Sequence, residues 1–238
     1  MADLHLSLAV DKPMDIFGSR WDMYQQKIFE RWNEAVAEND TVIIPGDVSW
    51  AMSTEEATKD FEFIEKLNGK KIILRGNHDF WWSTKNKLTN WQKEHAFDSI
   101  CFLQNDAAAV EDFIVCGSRG WYPDMQNAKC SRGADNKKIV AREAIRLKMS
   151  LDAAKTLSEA DSQNPREIMA FMHFPPYFKD YCCDELIYEL YRGGVKRCFF
   201  GHIHGSYNLP AVYEYSDIKF ELISSDFLDF RPKKIEVL

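Results

Sequence analysis

Histidine, aspartate and asparagine keep unusual company in this chain. Five of its six histidines fall in four short clusters: Asp3-Leu4-His5, Gly76-Asn77-His78-Asp79, Met172-His173-Phe174 and Gly201-His202-Ile203-His204-Gly205. A further cluster, Gly46-Asp47-Val48, has no histidine and sits between the first two. Imidazole nitrogens mixed with carboxylate and amide oxygens suit divalent transition metals, and there are donors enough for two ions. Two ions roughly 3.5–4 Å apart need a bridging oxygen. Asp47 suits the bridge: it ends an apolar run, behind a glycine that permits close approach. Asp3 and His5 lie two apart, so an extended backbone would turn both to one side. His202 and His204 share that spacing, although a turn there would instead aim them at neighbouring ions. Asn77 offers a neutral carbonyl oxygen. His78 is expected beside the ions rather than on them, where an imidazole of ordinary pKa, about 6.5, can move protons. Asp79 would fix its tautomer.

These groups need elements to position them. Residues 41–45, 71–75, 167–172 and 196–200 are short apolar runs, and each stops at one of the clusters. Such runs, rich in β-branched and aromatic residues and bounded by glycine or proline, predict buried strands. Open α/β sheets place their sites at the carboxyl ends of strands. Trp21, Tyr24, Ile28, Trp32 and Val36 recur at helical spacing, and Ser53 with Glu56 forms a capping box ahead of a second helix. Residues 136–157 and 184–191 predict further helices. Residues 211–215 and 219–223 read as a hairpin around Ser216-Asp217, residues 99–103 and 112–116 as another strand pair, and 234–238 as a last strand. No linker or repeat interrupts residues 1–238, so one domain of alternating strands and helices is expected.

Composition narrows the function. The 238 residues are 45% hydrophobic and 28% charged, which suits a globular core. A net charge of -7 argues against a surface built for nucleic acid or anionic membranes. No apolar run approaches the ~20 residues of a membrane helix. The six cysteines include no CxxC pair and fit reduced thiols, so a cytoplasmic location is expected.

In order, Asp3-x-His5, Gly46-Asp47, Gly76-Asn77-His78-Asp79, His173 and Gly201-His202-x-His204-Gly205 resemble the calcineurin-like metallophosphoesterase superfamily. The resemblance runs from residue 3 to beyond residue 205. It implies a four-layer α/β/β/α sandwich of two mixed sheets flanked by helices. By motif, Asp3, His5 and His204 would bind one divalent ion, Asn77, His173 and His202 the other, and Asp47 both. The implied metals are manganese, iron or zinc. The implied reaction is attack on phosphorus by a hydroxide shared between the ions, with His78 stabilising charge or protonating the leaving oxygen. In this family several apolar residues form a first strand before the DxH pair, whereas here only Met1 and Ala2 precede Asp3. A missing or truncated first strand would leave Asp3 and His5 on a frayed end.

The substrate is narrowed by departures from known branches. The sequence after Asp47, Val48-Ser49-Trp50-Ala51-Met52, lacks the Asp-Arg-Gly of the protein Ser/Thr phosphatase branch. His78 stands where lipid-A pathway pyrophosphatases commonly have arginine. What remains resembles the small bacterial phosphoesterases, acting on a small phosphomonoester or phosphodiester. Trp50, Trp81 and Trp82 follow the clusters and are candidates to stack on a flat leaving group, against plain packing beneath the site. Arg119 is a candidate phosphate clamp, against a salt-bridged arginine. Residues 129–138 read as a loop near the substrate mouth, or as a solvated connector. A metal-dependent nuclease is the alternative within the chemistry. A non-catalytic scaffold, as in the retromer subunit of this fold, is the alternative outside it.

Overall fold

The computed structural model describes residues 1–122, 134–160 and 166–236. Strands β1 (Thr41–Pro45), β2 (Lys70–Leu74) and β3 (Ile100–Phe102) form a parallel sheet in that order. The second sheet uses β4 (Ala108–Val110), β5 (Phe113–Ser118), β6 (Glu167–Met172), β9 (Arg197–Phe200), β10 (Val212–Tyr215) and β11 (Ile218–Leu222). Its order is β10-β11-β9-β6-β5-β4, parallel through the four central strands and antiparallel at both edges. A small ribbon, β7 (Tyr177–Phe178) with β8 (Tyr181–Cys182), stands apart.

Alternation of side chains builds the layers. Ile43, Ile72 and Leu74 of the small sheet pack with Val115, Met169, Phe171 and Phe199 of the large one. The rings of Phe171 and Phe199 stack there at 4.9 Å. The opposite face of the small sheet, Val42, Ile44 and Ile73, meets helices α1 (Tyr24–Ala35), α2 (Thr54–Glu65) and α3 (Lys85–Glu94) through Ile28, Trp32, Phe61, Ile64, Leu88 and Trp91. The outer face of the large sheet, Ile114, Cys116, Ala170 and Phe200, meets α4 (Ala134–Glu159) and α5 (Asp184–Arg192) through Leu147, Leu151, Leu186 and Leu190. The result is the expected α/β/β/α sandwich, each full burial of a large apolar side chain contributing about 1.5–3 kcal/mol. Ser53 caps α2 as predicted, its hydroxyl accepting from Glu56 N at 3.4 Å.

Three local expectations are corrected. Residues 99–103 and 112–116 do not pair, because β3 joins the small sheet while β5 joins the large one. Residues 231–236 carry no strand, and the expected last strand continues into residues outside those described. Of the expected loop at 129–138, residues 129–133 lie outside the described residues, and the remainder begins α4.

The amino-terminal end is not frayed. Met1 through Leu6 are all buried, tied by Ala2 N to Ile223 O at 2.7 Å, Asp3 N to Gly46 O at 3.0 Å and His5 N to Asp47 O at 3.0 Å. Single parallel bridges, Ala2 to Ser224 and Leu6 to Ser49, take the place of a strand before and after the DxH pair. The Met1 amine donates to Ile43 O at 3.2 Å, and burial pushes its pKa down to about 5. A cavity of about 270 Å³ opens beside Met1, between the outer edge of β1 and Pro232–Ile235; none of the proposed metal ligands lines it.

Lys71 on β2 supplies a stability test. Its side chain is fully buried, and its ammonium donates to Leu67 O and, at 2.9 Å, to Ser99 Oγ. Burial lowers its pKa to about 8, with nearby Glu65 opposing the shift. Between about pH 8 and 10.5 the unfolded chain therefore holds a proton that the folded one has lost, and stability rises with pH across that window. Thermal melts of the wild type should show this rise, and Lys71→Met should lack it. Parallel pH profiles for the two proteins would refute the assignment.

Candidate metal centre

All the clusters meet at one edge. β1 and β2 are parallel, as are β5, β6 and β9, so their carboxyl ends deliver Asp47, Asn77, His173 and His202 to the same end of the sandwich. The two loops of the small sheet touch. A Cβ on Gly46 would lie 2.4 Å from Gly76 N, and one on Gly76 would lie 2.1 Å from Asp47 Oδ1. Only glycine at both positions allows this approach. Asp3, His5, Asp47 and His202 all hold left-handed backbone, at φ 62°, 46°, 51° and 70°. Such conformations are costly for residues with a Cβ and persist where the surroundings over-determine them. The expected extended Asp3-x-His5 segment is corrected accordingly: two left-handed residues, rather than strand alternation, bring both side chains inward.

Donor atoms converge in two overlapping groups, Asp3 with His5 and His204, and Asp3 with Asp47 and His173, each within 4.8 Å. His5 Nε2 lies 3.2 Å from His204 Nε2 and 3.7 Å from Asp47 Oδ2. His173 Nε2 lies 2.6 Å from Asn77 Oδ1 and 3.4 Å from Asp47 Oδ2. Asp47 Oδ2 therefore faces both groups, while its Oδ1 accepts from His78 N at 2.8 Å. His202 joins through its backbone N–H, which donates to both oxygens of Asp3, and its ring centroid is 5.3 Å from that of His173.

Fixed tautomers make this donor set fit cations. His204 Nδ1 donates to Asp226 Oδ1 at 2.8 Å, and His173 Nδ1 donates to Pro45 O at 3.2 Å. Each bond turns Nε2 into the centre; burial is outweighed at His204 by Asp226 and Asp3, which raise its pKa, so an ion bound there would displace a proton from Nε2. Burial, with Asp79 and Asp3 close by, holds the Asp47 carboxyl well above the usual carboxylate range, and burial raises Asp3 to about 6. Burial and neighbouring histidines push His5 and His173 well down. Crowded carboxylates facing inward lone pairs are what a pair of dications would relieve.

Asp226 is a site residue that sequence reasoning misses. Its buried carboxylate also accepts from Gly205 N at 3.0 Å. Burial opposes its charge, yet the His204 and Gly205 bonds hold its pKa below the usual value. The only local signal is a polar Ser224-Ser225-Asp226 run that follows β11 and Ile223.

His78 lies beside the ligands and in neither group. Its ring is 4.3 Å from Trp50 and 5.8 Å from His5, and burial lowers its pKa to about 4. Trp50 also stacks on His5 at 5.0 Å, so this candidate lies at the site. Trp81 does not. It is buried against Phe61, Trp91 and Phe102, with its Nε1 donating to Asp79, and is corrected to core packing. Trp82 is buried beside it.

Asp79 is also corrected. Its carboxylate does not hold His78; it accepts from Gly76 N at 2.7 Å, Asp47 N and Val48 N at 2.9 Å and Trp81 Nε1 at 3.1 Å. It clamps the Asp47 loop to the Asn77 loop. Asp79→Ala would strand several buried N–H groups at about 1–3 kcal/mol each. Urea unfolding should show a loss above about 3 kcal/mol, and a loss under about 1 kcal/mol would contradict the clamp.

Comparison with known proteins agrees with this geometry. The family model for calcineurin-like phosphoesterases matches residues 1–206. The chain belongs to that family. That family is dinuclear and metal-dependent, and this chain brings together candidate ligand clusters for such a centre. TT1561 of Thermus thermophilus has a similar fold, with TM-score 0.54 and 10% identity over 91% of this chain and 87% of that one. The phosphopantetheinyl hydrolase PptH from Mycobacterium tuberculosis aligns at TM-score 0.49 and 16% identity, over 94% of this chain and 87% of that one. MJ1445 of Methanocaldococcus jannaschii is 38% identical over 52 residues, a match spanning 22% of this chain and 28% of that protein. Among the described residues, no helix is long and apolar enough to cross a membrane.

Proposed function

We propose that this chain hydrolyses a small phosphomonoester or phosphodiester at a centre for two divalent ions. Asp3, His5 and His204 hold one ion, Asn77, His173 and His202 the other, and Asp47 both. One observation carries the proposal: Asp47 Oδ2 lies 3.7 Å from His5 Nε2 and 3.4 Å from His173 Nε2. When bound, the ions supply Lewis acidity toward the phosphoryl oxygens and activate a water for attack.

The chain's own residues do the rest. Asp226 and Pro45 O keep the two imidazoles in the ligating tautomer. Asp79 holds the Asp47 and Asn77 loops in register. His78, supported by the face of Trp50, hydrogen-bonds the ester oxygen on the substrate side and stabilises the charge that develops there. Trp50 also excludes water from one wall.

The test is hydrolysis of p-nitrophenyl phosphate and bis(p-nitrophenyl) phosphate by protein loaded with manganese, iron or zinc in turn. Activity should require a metal and vanish on chelation. Activity that survives complete chelation would overturn the proposal.

A further inference from the structure

A second charged cluster stands at the same edge of the sandwich. Arg75 directly follows β2, two residues before Asn77, and Arg119 directly follows β5. Arg142 and Arg146 are on α4. Three of these guanidinium groups address one carboxylate. Glu143 Oε1 lies 2.7 Å from Arg146, 3.5 Å from Arg119 and 3.8 Å from Arg142. The ends of β2 and β5 meet, a Cβ on Gly117 lying 3.0 Å from Leu74 Cδ2, so Arg75 and Arg119 leave the two sheets side by side and their charges oppose one another. Three guanidinium groups on one carboxylate, with Arg75 beside them, leave a local surplus of positive charge in a chain whose net charge is -7.

The surplus is not spent on internal bonds. Arg75 Nε and Arg119 Nε are buried and have no hydrogen-bond partner, although Glu143 Oε2, also buried and unpartnered, belongs to the same cluster. A network built only to hold α4 against the sheet would match its charges and use its donors, because a buried donor left unpaired costs about 1–3 kcal/mol. An arriving oxyanion would supply what is missing.

The cluster is adjacent to the metal ligands. Ser118 and Met172 are neighbours across β5 and β6, so Arg119 emerges beside His173, about 4.8 Å away in strand spacing. Phe174 N donates to Arg119 O at 2.9 Å. The Arg119 guanidinium lies 6.0 Å from the Phe174 ring, which also packs against His202 at 4.5 Å and His173 at 5.0 Å. The Phe174 ring therefore lies between Arg119 and the rings of His173 and His202.

We infer that Arg75 and Arg119 form an anion subsite next to the centre, which receives a second phosphoryl group of the substrate. The substrate class is then a phosphate ester or anhydride carrying at least two phosphoryl groups. Paired guanidinium forks match phosphoryl oxygens better than any single charge does. Glu143 pre-orients Arg119 and keeps part of the cluster's charge balanced before the substrate arrives. The inference rests on the phosphoesterase function proposed above.

The test compares adenosine 5′-monophosphate with adenosine 5′-diphosphate and adenosine 3′,5′-bisphosphate as substrates of the metal-loaded enzyme. The latter two distinguish a diphosphate linkage from a separately carried phosphate. At least one should be preferred over the monophosphate by about tenfold or more in kcat/KM, the size of a charge-assisted contact. Arg119→Gln and Arg75→Gln should each shrink that preference by a similar factor. Arg75 makes no ion pair among the described residues, so its variant reads the subsite without unpairing Glu143. No preference in the wild type, or equal losses on all three substrates, overturns the inference. Calorimetric titration of metal-depleted protein with inorganic phosphate separates the two claims. Binding weakened about tenfold by Arg75→Gln supports the subsite even if no ester is hydrolysed, in which case the phosphoesterase function alone fails. Absence of phosphate binding removes the subsite.

Discussion

Asp47→Asn is expected to abolish stable occupancy of the paired centre and to lower hydrolysis by about a thousandfold or more. Metal ions contribute several kcal/mol of transition-state stabilisation, and each tenfold in rate is worth about 1.4 kcal/mol. Asparagine keeps what is structural at this position. It tolerates the left-handed backbone at φ 51° and retains an acceptor for His78 N. It removes only the charged oxygen that faces His5 and His173. Because Asp47 is crowded by Asp79 and Asp3, the metal-depleted variant should melt no lower than the metal-depleted wild type. Such a trade of stability for activity is ordinary at functional sites. Elemental analysis and kcat/KM decide the matter: full metal content with activity within tenfold would take Asp47 out of the centre.

His78→Ala should act on rate and spare the metals. The ring touches Trp50 and His5 but belongs to neither donor group, so both groups survive its removal. A loss of about 100-fold in kcat is the usual scale for such a group. An unchanged kcat would exclude His78 from the mechanism. Loss of metal from the variant would make it a ligand instead.

Much of this site is legible in the sequence because sequence order and spatial order coincide at strand ends. Each apolar run that stops at a cluster is a strand of the parallel region, and parallel strands share one carboxyl edge. The failures have physical causes too. Strand alternation turns Asp3 and His5 to one side for the wrong reason, because two left-handed residues rather than a period of two bring them inward. Proximity in sequence pairs Asp79 with His78, whereas its buried carboxylate is captured by backbone N–H groups from a loop some thirty residues earlier. Trp81 and Trp50 are alike as letters. Only the direction of each loop puts one in the core and the other against His5 and His78. Asp226 escapes notice because its partner, His204, lies 22 residues away across a hairpin. The arginine cluster is equally non-local, drawing on two strand ends and a helix.

Anomalous X-ray scattering from crystals soaked in manganese tests the centre most directly. Two peaks are expected, about 3.5–4 Å apart, one among Asp3, His5 and His204, the other among Asn77, His173 and His202, with the Asp47 carboxylate between them. A single peak, or peaks away from Asp47, would contradict the paired centre.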